Sequence, residues 1–206
     1  NCKRHMYIFN KHKVIPKFCF SCFKVQVELD SVIDLIKLYL VFNSLKLKNN
    51  NTRKCFIEMR PNISGFYKGL IYCEDLEEAN QISNQLDLEI QKNISIDLKS
   101  KVKHGCSEYS LEYPAFKEIN KDENKVMSYN KNWRILEEEF DRENRFWSKE
   151  KTSIKGFNLN NFLIIRNWIG YAQIIEDKTV ERITNEKIRL PKNFFSIKRK
   201  ITYKDK

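Results

Sequence analysis

Residues 23–106 switch repeatedly between two hydrophobic periodicities, and the order of these segments limits the fold more than any other feature of the chain. Apolar residues alternate with polar ones, as in half-buried strands, over 23–29, 54–60, 66–73 and 94–102. Segments with a helical period follow the first and third of these strands. The order strand, helix, strand, strand, helix, strand predicts a ferredoxin-like βαββαβ sandwich of the α+β class.

Both predicted helices begin at a capping sequence. Ser31 precedes the first helix with Asp34 three residues later, and Asp75 and Glu78 have the same spacing before the second. The first helix, within residues 31–43, is apolar on most of its sides. Such a helix is either sandwiched between other elements or offers a face to a protein partner.

The rest of the chain divides by composition into three parts. Residues 1–22 form a basic lead that ends in a CxxC motif, and residues 107–127 are predicted to be an irregular connector. Residues 128–206 are predicted to be a helical C-terminal extension with a basic tail. Apolar residues at helical spacing predict helices that begin near Tyr129 and that cover residues 161–175.

The formal net charge is +11, and the two ends of the chain carry all of the excess. Clustered Lys and Arg favour phosphate-bearing partners such as nucleic acid, although A+T-rich coding also produces a Lys-rich and Asn-rich chain. The longest apolar run, Val32 to Phe42, contains Asp34 and Lys37 and is too short to cross a bilayer. Without a recognisable secretory signal we expect a soluble cytoplasmic protein with no membrane partner. Because the sequence begins at Asn1, we also expect that an earlier segment could carry part of the activity.

Five of the six cysteines fall at one predicted edge of the sheet. In the strand order 4-1-3-2 the starts of strands one and two share an edge with the ends of strands three and four. Thiolates that converge there are typical of structural zinc or of an iron–sulfur cluster. The predicted metal ligands are Cys19, Cys22, Cys55 and Cys73, with His104 and Cys106 as alternates.

Ordinary buried thiols explain the same cysteines equally well, because free cysteine is among the most buried residue types. Phe18, Phe20 and Phe23 surround the CxxC motif with core-like neighbours. A redox pair is less favoured, since the motif precedes a strand and not a helix. A disulfide framework is disfavoured by the expected cytoplasmic location.

The face of the predicted sheet opposite the helices is polar. The alternation that turns Val25 and Val27 towards the helices turns Lys24 and Gln26 the other way. In the segment after strand two, glycine would let the backbone approach an anion, which neighbouring basic side chains would hold. The predicted anion-binding residues are Lys24, Arg60, Ser64 and Lys68. The candidate catalytic residues are Glu58, Tyr67 and Lys68.

The twelve residues from Lys68 to Ala79 resemble the third strand and the following helix start of the RNA-recognition motif. That family stacks bases on aromatic residues of strands one and three. At those strands this chain offers Lys24 and Gln26, then Leu70 and Tyr72, which removes most of the stacking platform. The resemblance therefore implies the fold and leaves RNA binding as a minor alternative.

The leading hypothesis is a metal-stabilised binding or regulatory module, with zinc or an iron–sulfur cluster, for an anionic partner such as nucleic acid or a phosphate-bearing ligand. The first alternative is an enzyme with its site at the cysteine edge or on the polar sheet face. The second is a purely structural domain that docks a protein through the helix within residues 31–43.

Overall fold

Four strands form one sheet. The structure is a computed structural model and describes residues 2–61, 63–117, 127–144 and 159–184. The sheet has the order β2-β3-β1-β4, and all three neighbouring pairs are antiparallel. The α+β class is confirmed, and each strand has the neighbours that the predicted order gives it. The strands are β1 (Phe23–Leu29), β2 (Arg53–Ile57), β3 (Tyr67–Cys73) and β4 (Lys101–His104).

The described residues contain seven α-helices and three short 3-10 helices. No helix in this part of the chain is long and apolar enough to cross a membrane. The 3-10 helices are Lys17–Ser21, Pro114–Lys117 and Lys178–Val180. The α-helices are α1 (Cys2–His12), α2 (Val32–Ser44), α3 (Leu76–Asn93), α4 (Ser107–Glu112), α5 (Trp133–Glu143), α6 (Leu159–Ile174) and α7 (Glu181–Thr184).

The two predicted caps hold the helices that follow β1 and β3. The Ser31 side chain accepts a hydrogen bond from the Asp34 backbone N–H at 3.1 Å, and the Asp75 carboxylate accepts one from the Glu78 N–H at 2.8 Å. Each bond satisfies one of the free N–H groups of a helix N-terminus. The predicted helix starts are thus confirmed.

Helices α2 and α3 cover one face of the sheet and form the main hydrophobic core with it. Gly69 of β3 marks the closest approach, because a Cβ built there would lie 2.4 Å from Leu38 Cδ2 of α2. The other side of α2 packs against α6, where Trp168 and Ala172 are buried in the same core. The apolar character of α2 is therefore explained by its position between the sheet and α6.

The segments before β1 and after β4 pack against each other in a second hydrophobic cluster. Its buried members come from α1 and the connection after it, from the two 3-10 helices beside the sheet and from α4, and they are Phe9, Ile15, Cys19, Tyr109 and Phe116. Helix α5 joins this cluster through Trp133, and ion pairs from Arg4 to Glu137 and Asp141 tie it to α1. The basic lead is therefore a packed helix in the structure.

The fourth strand was predicted over residues 94–102 but covers Lys101–His104. Ile94 and Leu98, which produced the alternating pattern, lie in the connection after α3 and pack against the core from there. Ile96, the middle residue of that pattern, is 76 % exposed, so the alternation that predicted a strand does not correspond to alternating burial. The predicted basic tail of the C-terminal extension lies outside the described residues.

Candidate anion-binding cleft

The sheet face opposite α2 and α3 is the floor of a cleft of about 320 Å³. Cys2 and Met6 of α1 line one side of the cleft, and residues 106–108 at the start of α4 line another. Strand alternation brings one lysine from each strand into the lining, because neighbouring strands place their polar positions side by side. We call this the lysine cleft, after Lys24 of β1, Lys54 of β2, Lys68 of β3 and Lys103 of β4.

Two of these lysines are almost completely buried. Lys24 is 6 % exposed and Lys68 is 4 % exposed. The Lys24 ammonium donates a hydrogen bond to Cys106 Sγ at 3.1 Å and lies 5.3 Å from the centre of the Tyr72 ring. Lys68 makes no ion pair with any residue that the structure describes. Two carboxylates lie near it without forming an ion pair, since Glu28 is its direct neighbour across the β1–β3 ladder and the charge of Lys68 helps to lower the pKa of Glu58.

The positive charges in the cleft influence one another. Burial of Lys24 opposes its charged form, but the Cys106 sulfur and the Tyr72 hydroxyl together outweigh that effect and raise the pKa of Lys24. Burial lowers the pKa of Lys103, and the nearby charge of Lys24 lowers it further. Two ammonium groups that repel each other in this way would both be stabilised by an anion between them.

Arg60, a predicted anion-binding residue, lines the cleft but is already neutralised. Its Nε and Nη2 donate to the two oxygens of Glu58 at 2.8 and 2.7 Å, and its Nη1 donates to Glu108. These hydrogen bonds to Arg60 hold the pKa of Glu58 at about 2, well below its ordinary value of 4.5. A carboxylate fixed in that state is a poor general base near neutral pH.

The charges that line the lysine cleft do not balance. The basic side chains number five and the acidic ones two. Because two acidic groups offset only two of the basic ones, the lining has an excess of three positive charges. The acidic side chains are Glu58 and Glu108, and the basic ones are Lys24, Lys54, Arg60, Lys68 and Lys103.

Two other predicted site residues lie away from the cleft. Ser64 is exposed and does not line it. Tyr67 belongs to the helix-covered face of the sheet, where its hydroxyl donates to Asp177 Oδ2 at 2.8 Å. The structure therefore brings Lys24, Arg60 and Lys68 together, but it does not bring Tyr67 to Glu58 and Lys68.

A second cavity, of about 410 Å³, adjoins the lysine cleft between α1 and the sheet edge where β1 starts and β3 ends. Five cysteines line it, and burial raises the pKa of two of them, Cys19 and Cys73, to about 12. All six cysteines of the chain are unpaired thiols. The five in the cavity wall are Cys2, Cys19, Cys22, Cys73 and Cys106.

The predicted metal tetrad is not assembled. Cys55 pairs with Gly69 in the middle of the β2–β3 ladder and packs against the helix side of the sheet. It therefore lies four residues, or roughly 13 Å, along the strands from Cys73. Among the residues that the structure describes, no group of three or more His, Cys, Asp or Glu side chains is placed to hold a metal ion.

The alternate ligand His104 is also engaged elsewhere. Its two ring nitrogens contact the backbone carbonyl oxygens of Phe116 and Phe20 at 2.7 and 2.9 Å. Its ring stacks between Phe23 and Phe116, with centroids 4.8 and 4.3 Å away. His104 thus links β4 to the second hydrophobic cluster.

Several lining residues were absent from the predicted site. Lys54 and Lys103 lie one strand away from Lys68 and Lys24; the alternation of strand two already turns Lys54 to the polar face, whereas Lys103 depends on the true bounds of β4. The contact between Lys24 and Cys106 depends on Gly105, whose φ of +56° turns the chain at the end of β4. Gly105 is itself a sequence signal for a turn, but it does not report which side chains the turn brings together.

The chain was compared with family models, curated proteins and solved structures, and none of them matches it. The function of the cleft is therefore inferred from its own residues.

Proposed function

We propose that the protein binds a phosphate-bearing ligand in the lysine cleft. The observation that carries the proposal is Lys68, which is 4 % exposed and has no ion pair among the described residues. A buried ammonium group costs free energy unless a negative charge accompanies it. Glu28 and Glu58 lie near Lys68 without an ion pair to it, and a phosphate group would supply a negative charge in direct contact.

The other lysines support the same ligand. Lys24 and Lys103 are adjacent across the β1–β4 ladder, and Lys24 faces Tyr72 across the β1–β3 ladder. Lysine binds phosphate as a compact point charge, and several lysines around one site share the charge of a doubly ionised group. Since Arg60 is already paired with Glu58 and Glu108, it contributes little further attraction.

The shape of the site favours a small ligand over a nucleic-acid strand. A volume of about 320 Å³ lies in the range of small-molecule sites. Binding of single-stranded RNA on a sheet requires accessible aromatic rings on both central strands, whereas β1 offers Lys24 and Gln26 here and β3 offers a single ring on this face, Tyr72. Nucleic acid therefore remains the second choice of anionic partner.

The other hypotheses receive less support from the described residues. Metal stabilisation loses its predicted tetrad because Cys55 lies apart, and the enzyme hypothesis loses Tyr67 from its candidate group. The strand order and the two helices on one face are consistent with a ferredoxin-like sandwich, and we propose that assignment together with a cytoplasmic location.

The experiment is calorimetric titration of the protein with inorganic pyrophosphate at low salt. We expect saturable binding, and we expect Lys68→Met to weaken it by about tenfold or more, because a charge-assisted hydrogen bond contributes about 1.5–3 kcal/mol. Lys92→Met is the matched control, since Lys92 is exposed near the end of α3 on the other face of the sheet. It removes the same charge from the chain and should leave the affinity unchanged.

Two outcomes would count against the proposal. One is the absence of binding to the folded protein at millimolar pyrophosphate. The other is an equal loss of affinity in Lys68→Met and Lys92→Met, which would indicate attraction by net charge alone.

A further inference from the structure

We infer that the ligand is a mononucleotide, with its phosphate in the lysine cleft and its base in the adjoining cavity of about 410 Å³. This inference rests on the proposed function. It adds the chemical class of the group that the phosphate is attached to.

The two cavities are parts of one site. They share six lining residues, so a ligand that fills one lies in contact with walls of the other. Among the shared residues, Lys24 and Tyr72 face each other across the β1–β3 ladder and contribute an ammonium group and an aromatic ring. The shared residues are Cys2, Met6, Lys24, Lys54, Tyr72 and Cys106.

Asn51, in the wall of the 410 Å³ cavity, has a buried acceptor without a donor. The residue is 9 % exposed, and its side-chain NH₂ donates to the Tyr72 carbonyl oxygen at 3.0 Å and to Glu78 Oε1 at 2.9 Å. Because both of these neighbours are acceptors, the orientation of the amide is fixed. Asn51 Oδ1 is then left with no hydrogen-bond partner among the described residues.

A buried acceptor without a partner costs free energy, and because Asn51 Oδ1 has less than 1 Å² of accessible surface, a ligand N–H or O–H group reaches it only when the Asn51 side chain turns into the cavity. The bases of nucleotides present such donors on the edge of a flat ring. The Tyr72 ring, which is partly exposed and lines both cavities, offers a surface for stacking that ring. An aromatic group with a donor edge, joined to a phosphate, therefore matches the three features of the site.

The test is calorimetric titration with five ligands under the same conditions as pyrophosphate: ribose 5-phosphate and the four ribonucleoside 5′-monophosphates. We expect at least one nucleotide to bind about tenfold tighter than ribose 5-phosphate, because stacking of a base contributes about 1–3 kcal/mol. Ribose 5-phosphate carries the sugar and phosphate without the base, so the ratio isolates the base.

Three variants locate the base. Tyr72→Leu should reduce the preference for the nucleotide to less than about threefold, whereas Tyr72→Phe should keep it, since stacking needs the ring and not the hydroxyl. Asn51→Ala should reduce the preference as well. Retained pyrophosphate affinity in each variant shows that the fold and the lysine cleft are intact.

The two proposals fail in different ways. If pyrophosphate binds but no nucleotide binds tighter than ribose 5-phosphate, the nucleotide inference is wrong and the proposed function stands. The inference is also wrong if Tyr72→Leu and Asn51→Ala both keep the full preference for the nucleotide. If none of the phosphate ligands binds, both proposals are wrong.

Discussion

The two faces of the sheet are buried to a similar degree by opposite chemistry. On the helix-covered face, Val25 and Val27 of β1 are 0 % exposed among aliphatic and aromatic side chains. On the other face, Lys24 and Lys68 are nearly as inaccessible, but they carry ammonium groups. The difference teaches that burial alone does not identify a core, because a core excludes charge and a binding site keeps it.

The free energy of burying side chains has opposite signs on the two faces. Each apolar side chain removed from water stabilises the fold, at about 25 cal/mol per Å². Each ammonium group removed from water without a partner destabilises it. The cleft is therefore maintained by its walls, where the second hydrophobic cluster holds α1 and α4 in place. Variants on the two faces should separate these effects.

The largest effect is expected on the helix-covered face. Phe42 of α2 is fully buried, so Phe42→Ala should lower the free energy of unfolding by about 3–5 kcal/mol through lost burial and the cavity left behind. Urea denaturation measures this. Leu40→Ala on the same helix is the control, since Leu40 is 46 % exposed and should lose about 1 kcal/mol or less. Equal losses in both variants would contradict the packing described for α2.

A smaller effect is expected where the sheet and α2 approach most closely. Gly69→Ala should lower the free energy of unfolding by about 1–3 kcal/mol, because the added methyl would overlap Leu38 and Phe42. Gly170→Ala is the control, since nothing lies within 4 Å of a Cβ at that position in α6 and alanine favours helix by about 1 kcal/mol. In urea denaturation, a loss of stability in Gly69→Ala together with a gain in Gly170→Ala would support the close approach of β3 to α2. A gain of stability in both variants would contradict it.

On the cleft face, Glu58→Gln should lower the free energy of unfolding at pH 7 by about 1–2 kcal/mol, since it breaks the ion pair with the partly exposed Arg60. The pKa of Glu58 is lowered to about 2, so ionised Glu58 stabilises the fold above its ordinary pKa of 4.5. That stabilisation is lost as the pH falls from about 4.5 towards 2. The difference between wild type and variant in urea denaturation should therefore shrink over this range.

Exposed Glu139 supplies the control for this variant, because Glu139→Gln should change the stability little at either pH. Pyrophosphate affinity should not fall in Glu58→Gln, since the cleft loses a negative charge. A pH-independent loss of stability would show that Glu58 acts through packing and not through its charge.

The sequence predicted most of the sheet because the relevant signals are local. Alternation located β1 and β3, and the side chains of Ser31 and Asp75 marked the starts of α2 and α3. Alternation failed at β4, because Ile94, Ile96 and Leu98 alternate in sequence but lie in an irregular connection where Ile96 is exposed. It does not distinguish a strand from a connection in which apolar residues happen to alternate with polar ones.

The candidate site was predicted only in part, because a site depends on which face each residue occupies. Lys24 was found from the alternation of β1, and Lys68 was found from the glycine-containing segment between β2 and β3. Cys55 was misplaced because the β2–β3 register sets it opposite Gly69, four residues from Cys73, and no local pattern reports that register. The unpartnered acceptor of Asn51 results from the path of the loop before β2, which no local pattern reports.

The most direct measurement of the central claim is the stability of Lys68→Met with and without pyrophosphate. Methionine has a similar length and no charge, so the ligand-free variant should be about 1 kcal/mol more stable than wild type in urea denaturation. Pyrophosphate should stabilise wild type by an amount that rises with the logarithm of its concentration above the Kd, and it should stabilise the variant much less. A variant that is less stable than wild type without ligand, yet gains the same stability from pyrophosphate, would contradict the account.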